Sequence, residues 1–322
     1  MSDVAITHPE KILFPDCGVS KGELCAYYEA VAPVMLPHVA RRPVTMERYP
    51  GGIGGKGFIQ KDVVKGFPVW LERLAAPRRD AKTEEPVHYP LANDARALVW
   101  LANQNSITPH VWASRVPELD RPDVCVFDLD PSEEHPGRLR SAALAVRDLL
   151  QELGLVSFVK TSGSKGFHIV VGLDGKSDFE DSWRFAQGAG RVLVKRYPEL
   201  LTQEFIKADR EGRILVDTGR NLRGATCAAA YAVRAKPQAP VSAPCTWQEL
   251  ESGTALPRSF SLRSMPGRLA DVGDLWRELP STATSLRDAL RTLEARLTAE
   301  DWQEAMHSST RRPTSRKRVK KS

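Results

Sequence analysis

Cysteine is scarce in this chain, five among 322 residues, and Cys17, Cys25, Cys125, Cys227 and Cys245 never fall as Cys-x-x-Cys. Scattered and odd in number, they exclude a disulfide framework and a cysteine zinc site, and a reduced, cytoplasmic protein is expected. No apolar run approaches the ~20 residues of a membrane-spanning helix, and the first residues lack a signal-peptide pattern. A membrane partner is not expected. Internal repeats are missing too. The glycine-rich stretch 51–55 is no phosphate-binding P-loop, because no Gly-Lys-Ser or Gly-Lys-Thr follows it. Acids are missing from residues 311–322, where Arg311, Arg312, Arg316, Lys317, Arg318, Lys320 and Lys321 stand. Those charges outweigh the whole formal excess of +6, so the rest of the chain is close to neutral. Residues 309–322 therefore read as a basic disordered tail, suited to non-specific phosphate contact or simply to solubility.

What is present begins with enough apolar material, 42% of the residues, for a large core and two packed subdomains. Most of the polar chemistry lies between Val124 and Val171. Val124 to Phe127 reads as a buried strand running into Asp128-Leu129-Asp130-Pro131. Side chains two apart on a strand share a face, so Asp128 and Asp130 form a carboxylate pair at its C-terminal end. Such a pair repels itself unless a proton or a cation intervenes, and hard oxygen ligands suit magnesium or manganese. A solvated strand end is an equal reading of the pair alone. A phosphatase of the haloacid dehalogenase kind is another, although Pro131-Ser132-Glu133-Glu134 is the wrong turn for it.

Apolar residues at Leu144, Val146, Leu149, Leu150 and Leu153 predict a helix over 139–153, stopped by Gly154. A second strand, Leu155 to Lys160, enters Thr161-Ser162-Gly163-Ser164-Lys165-Gly166, and a third, Phe167 to Val171, carries His168 near its start. A turn with two glycines, two hydroxyls and a lysine offers N–H groups and a cation to an anion, or is an ordinary hairpin turn. Upstream, Ser20-Lys21-Gly22-Glu23 fits a capping box, which sets Lys21 in the first turn of a helix, where anions are favoured. Lys11 and Lys21 also read as two solvated surface lysines. Downstream, Arg213 to Val216 is a strand ending in Asp217, with Arg220, Asn221, Arg223 and Arg234 beyond it. Helical text returns at 178–197, 285–297 and 300–306.

Asp-x-Asp on one strand, Ser-Gly-x-Lys-Gly-x-His on the hairpin beside it and a third aspartate at a later strand end resemble the archaeo-eukaryotic primase superfamily. More narrowly, the chain resembles the polymerase domain of bacterial ligase D from Thr7 to about Leu250. Further matches are Thr-His-Pro-Glu-Lys-Ile-Leu-Phe-Pro from Thr7, Ala32 to His38, Phe58-Ile59-Gln60-Lys61, Val99 to Asn103, and Val216-Asp217 with Arg220-Asn221. The resemblance implies an α+β primase-polymerase fold with an RRM-like βαββ catalytic core packed on an N-terminal α/β subdomain. We divide the chain accordingly into 1–115, a catalytic core at 116–260, a C-terminal helical segment at 261–308 and the tail.

The same resemblance implies a nucleotidyltransferase. Asp128, Asp130 and Asp217 would hold two divalent cations, manganese or magnesium, while Ser162, Lys165, His168, Arg220 and Arg234 would cradle a triphosphate. His110 would position the sugar or triphosphate. Phe58 would stack on a base, with core burial as its rival role, and Lys61 would sit near the nucleotide or template. Lys11 and Lys21 would take the 5′-phosphate of a recessed DNA end, although His8 stands where relatives carry an assisting asparagine. Implied partners are DNA with gaps or broken ends, an NTP or dNTP, a ligase-D-type ligase and a Ku-type end binder, in a nucleoid-associated setting. With no ligase or nuclease motif set beside it, a stand-alone form is expected. Primer synthesis, damage-tolerant synthesis and a non-catalytic DNA-end binder are the alternative functions.

Overall fold

The computed structural model describes residues 3–63, 66–77 and 85–308; the expected tail lies outside the described residues. The chain enters through a small ribbon, β1 (Ile12–Phe14) and β2 (Val19–Ser20). Ser20 then caps α1 (Lys21–Val39): its side chain accepts from the Glu23 N–H, and Glu23 reaches back to the Ser20 N–H. That is the reciprocal box the Ser-x-x-Glu spacing predicts. The α1 residues Leu24, Val31 and Met35 are fully buried, and the helix packs on α2 (Ala95–Asn103), which Asp94 caps.

Around this helix pair run β3 (Val44–Arg48), β4 (Phe58–Gln60), the hairpin β5 (Arg73–Ala76) and β6 (Val87–Pro90), and β7 (Ser106–Trp112). The unit expected to be the catalytic core follows as β8 (Val124–Pro131), α3 (Pro136–Glu152), β9 (Ser157–Thr161) and β10 (Phe167–Gly172). This is the expected βαββ order. Then come α4 (Phe179–Arg196), β11 (Leu201–Thr202), β12 (Ile214–Asp217), β13 (Thr226–Ala228), the hairpin β14 (Ala232–Val233) and β15 (Val241–Ser242), and β16 (Pro244–Cys245).

Two sheets result. The second has the order β11-β12-β8-β10-β9-β16, so the aspartate strand β8 is central, antiparallel to both β10 and β12. The first has the order β13-β7-β3-β4. Its edge strand β13 comes from sequence far downstream of the other three, so the chain returns to the N-terminal sheet after completing β12.

Period-two alternation along β8 places the site. Cys125, Phe127 and Leu129 are fully buried in one core with residues of α3 and α4, whereas Val126 belongs to the core shared with the N-terminal half. Asp128 and Asp130 continue the Val126 face, towards the cleft between the sheets. Four helices close the described chain: α5 (Trp247–Ser252), α6 (Met265–Val272), α7 (Arg287–Arg296) and α8 (Ala299–Ser308). The last two pack on α4. Between them and the core, Asp274 accepts from Tyr231 at 2.6 Å and pairs with His38 at 2.9 Å, tying the C-terminal segment to α1. Among the described residues no helix is long and apolar enough to cross a membrane.

Candidate active site

Asp217, the last residue of β12, stands opposite Asp128 in register, and on the other side His168 of β10 stands opposite the same aspartate. The strand pairing thus brings together an acid from each of two strands and the hairpin histidine. Burial pushes the Asp128 carboxyl up; Arg220 partly reverses this, and the like charges of Asp217 and Asp130 push it further up. Arg220 lies 3.2 Å from Asp128 and 3.4 Å from Asp217, while Arg210 donates to Asp130 Oδ2 at 2.9 Å. Among the described residues, no group of three or more His, Cys, Asp or Glu forms a cluster that could hold a metal ion. The chemistry of the donor set nevertheless fits a hard divalent cation. Asp128 is a largely desolvated, partly buried carboxylate beside like charges, and a cation would relieve both penalties.

Asn221 explains how the turn after Asp217 is held. Its fully buried side chain accepts from the Val126 N–H at 2.8 Å and donates to the Val126 carbonyl at 2.7 Å. It thereby imitates one more residue of β12 alongside β8 and fixes the arginine just before it. Asp217 itself accepts from the Gly219 N–H at 2.8 Å, closing the turn locally.

The hairpin turn is built by Ser162, whose hydroxyl oxygen accepts from the Ser164 and Gly166 N–H groups at 3.1 and 3.0 Å. Arg234 donates to the Ser162 carbonyl at 2.6 Å. Gly166 is required by close approach, because a Cβ there would run into the Leu129 carbonyl between the two aspartates. Lys165, expected at the triphosphate, is exposed and lines a separate hollow with Pro131, Glu134 and Arg258. His168, by contrast, is buried, with Nε2 3.4 Å from Asp128 Oδ1. Its Nδ1 meets Lys160 Nζ at 2.8 Å and Cys227 Sγ at 3.0 Å. Burial, then the charge of Lys160, holds this imidazole well below the usual histidine range.

The N-terminal sheet supplies the facing wall. His110 on β7 lies 3.6 Å from Glu47 of β3, and Tyr49 donates to the same carboxylate at 3.0 Å. Burial lowers the His110 pKa and keeps the ring neutral at pH 7, even though Glu47 pulls the other way. Burial would likewise raise Glu47, but His110 and Tyr49 outweigh it and bring the carboxyl down to about 2. The two shifts are compatible, since below its own titration the imidazolium faces Glu47 and keeps it ionised. Phe58 and Ile59, on the edge strand β4, are 46% and 57% exposed, so Phe58 is not a core residue. Lys61 lines a hollow of about 370 Å³ with Asp217, Arg220 and Phe205.

Lys21 is buried and donates to Thr7 Oγ1 at 2.9 Å, and its backbone N–H bonds the Lys11 carbonyl. Burial lowers its pKa, with the Lys11 charge adding to the effect. Lys11 is therefore its neighbour, and its own ammonium contacts the Pro50 carbonyl. The two lysines form a pair on one flank, and Lys21 is not the solvated surface residue of the alternative reading. Sequence reasoning missed Lys160 and Glu47. Both are charges inside otherwise strand-like text, and that mismatch was the available signal.

A catalytic sheet carrying two strand-end acids, crossed by a βαββ hairpin with a buried histidine, defines a primase-polymerase domain. The family model described as "LigD, primase-polymerase domain" matches residues 20–276, and the chain belongs to that family. It is 34% identical over 315 residues to the multifunctional non-homologous end joining DNA repair protein LigD of Mycobacterium tuberculosis, covering 92% of this chain and 41% of that protein. With LigD of Pseudomonas aeruginosa the identity is 36% over 293 residues, 89% of this chain and 34% of the relative. The chain thus spans less than half the length of these relatives. A solved structure, "Polymerase Domain from Mycobacterium tuberculosis Ligase D in complex with DNA", superposes with a TM-score of 0.81 at 34% identity, over 88% of this chain and 100% of that one. The family is metal-dependent.

Proposed function

We propose that the protein is a template-dependent nucleotidyltransferase that extends DNA primer ends and fills gaps at broken DNA. The observation that carries this is the register of β10, β8 and β12, which lines up His168, Asp128 and Asp217 across one sheet. A protein that only bound DNA ends would gain nothing from three neighbouring acids facing a phosphate backbone. Asp128, Asp130 and Asp217 would hold manganese or magnesium, which when bound supplies charge for the attacking hydroxyl and the leaving pyrophosphate. Arg220 and Arg234 would take the triphosphate oxygens, planar forks suited to bidentate contact. His168 would present its Nε2–H to the same region, and Ser162 would shape the turn beneath it. His110, held by Glu47, would orient the sugar or triphosphate from the facing sheet. Phe58 offers an exposed ring to a base, with Lys61 beside the nucleotide, and Lys11 and Lys21 would hold a 5′-phosphate. No side chain is needed as a covalent nucleophile.

The relatives' names place those proteins in non-homologous end joining, and we carry that setting over, with a Ku-type end binder and a ligase-D-type ligase as partners on the nucleoid. The test is primer extension on a gapped duplex with a 5′-phosphate, with manganese and with magnesium, offering ribonucleotides and deoxyribonucleotides separately. Template-directed addition by the wild type, lost in Asp128→Ala and Asp217→Ala, is the expected result. Addition that survives both substitutions would remove the reading.

A further inference from the structure

Lys160 is 2% exposed and sits on β9 directly across from His168. Nothing in the phosphate-handling scheme above uses it, yet a buried ammonium is costly unless every N–H has a partner. Three acceptors surround Nζ: the Ala228 carbonyl at 3.0 Å, the Ser242 hydroxyl, and His168 Nδ1 at 2.8 Å. A carbonyl only accepts. The Ser242 hydroxyl gives its one proton to the Thr161 carbonyl at 3.1 Å, so towards Lys160 it accepts as well. Two N–H bonds are thereby committed, and the third position of the ammonium faces Nδ1. At the far side of the ring, Nε2 faces the Asp128 carboxylate at 3.4 Å, and a carboxylate also accepts. One proton placement satisfies both ends: Nε2 carries the ring proton and Nδ1 receives the bond from Lys160.

We propose that Lys160 is a positioning residue for the polymerase reaction: it locks the His168 ring as the Nε2–H tautomer and aims that N–H at Asp128 and the triphosphate side of the cleft. The proposal rests on the nucleotidyl-transfer reading for its role, though not for its geometry. Cys227, with Sγ 3.0 Å from the same Nδ1, is a weaker second donor that favours the same tautomer. A test must remove both.

The full chain labelled with 15N-histidine gives the tautomer of His168 from long-range 1H–15N correlation, with the ring assigned by its loss in His168→Gln. The wild type is expected to show the Nε2–H pattern. Lys160→Met with Cys227→Ala is expected to lose it and to lower kcat for primer extension about 10–100-fold, the usual scale for residues that orient a site from behind. KM for the primer end should hardly move. Lys160→Gln, whose amide can still donate to Nδ1, should retain the tautomer and most of the rate. A wild-type Nδ1–H pattern would overturn the proposal. So would a folded double variant with tautomer and rate unchanged. Should the double variant not fold, Lys160→Met with Cys227→Val replaces it, and an unchanged tautomer and rate there are equally fatal. If the wild type does not extend primers at all, the polymerase reading fails, while the spectra still decide whether Lys160 sets the ring.

Discussion

Asp128 and Asp217 occupy opposed positions on antiparallel strands and share one guanidinium, that of Arg220, at 3.2 and 3.4 Å. The arginine neutralises the same charge that a divalent cation would, so under the proposed function the two would compete for these carboxylates until a triphosphate drew the arginine away.

Arg220→Ala should therefore lower thermal stability in the presence of a chelator and restore much of it when manganese is added. The melting temperature of the wild type should respond less to manganese, since Arg220 already offsets the repulsion. Primer extension by the variant should fall about 10²–10³-fold, as for removal of one transition-state donor. Equal manganese responses in the two proteins would count against a shared site.

Gly166→Ala should be among the most damaging small substitutions in the chain. Its methyl group has no room beside the Leu129 carbonyl, and the backbone of β8 must shift to admit it. A loss of more than ~3 kcal/mol is expected, on the scale of the larger strain effects. Gly137→Ala is the matched control, because it meets nothing within 4 Å and lies in the first turn of α3. Urea unfolding of both variants decides the point.

The Glu47–His110 pair predicts an acid-dependent stability term. A carboxyl lowered from 4.5 to about 2 contributes fully above pH 4.5 and loses that contribution as pH falls towards 2. The contribution is roughly 3 kcal/mol at most, from the size of that shift. The stability gap between wild type and Glu47→Gln should be widest near pH 6 and close as pH falls towards 2. A gap independent of pH would show that the carboxylate charge is not what matters.

Phe58→Ala should leave the melting temperature nearly unchanged, because the ring is 46% exposed. Affinity for a gapped duplex should weaken by about 5–150-fold if the ring stacks on a base, from the 1–3 kcal/mol such stacking is worth. Unchanged DNA affinity would return Phe58 to the role of a surface residue beside Arg48, whose guanidinium lies 5.5 Å from its ring.

Local chemistry was legible in the sequence where it depends on neighbours along the chain. The Ser20–Glu23 capping box, the paired faces of Asp128 and Asp130, and the hairpin around Ser162 to Gly166 all follow from spacing alone. Asp217 was legible only through family resemblance, because its partnership with Asp128 is made by strands far apart in sequence. Lys160 and Glu47 were missed for the same reason: what makes a strand lysine functional is the histidine opposite it, and register is a tertiary fact. The place of Lys165 in a phosphate-like turn says nothing about which way it leaves the turn, and here it lies beside Glu134 and Arg258.

The late strand β13 lies at the edge of the N-terminal sheet, although the residues just before it, 218–225, belong to the turn that Asn221 fastens to β8. One short stretch of chain is thus anchored at both ends, by a side chain on the aspartate sheet and by strand pairing with β7. It acts as a stay of fixed length that sets how far the two walls can gape. Arg220 rides on that stay, so any widening of the mouth to admit a template would pull on the same guanidinium that guards the acids.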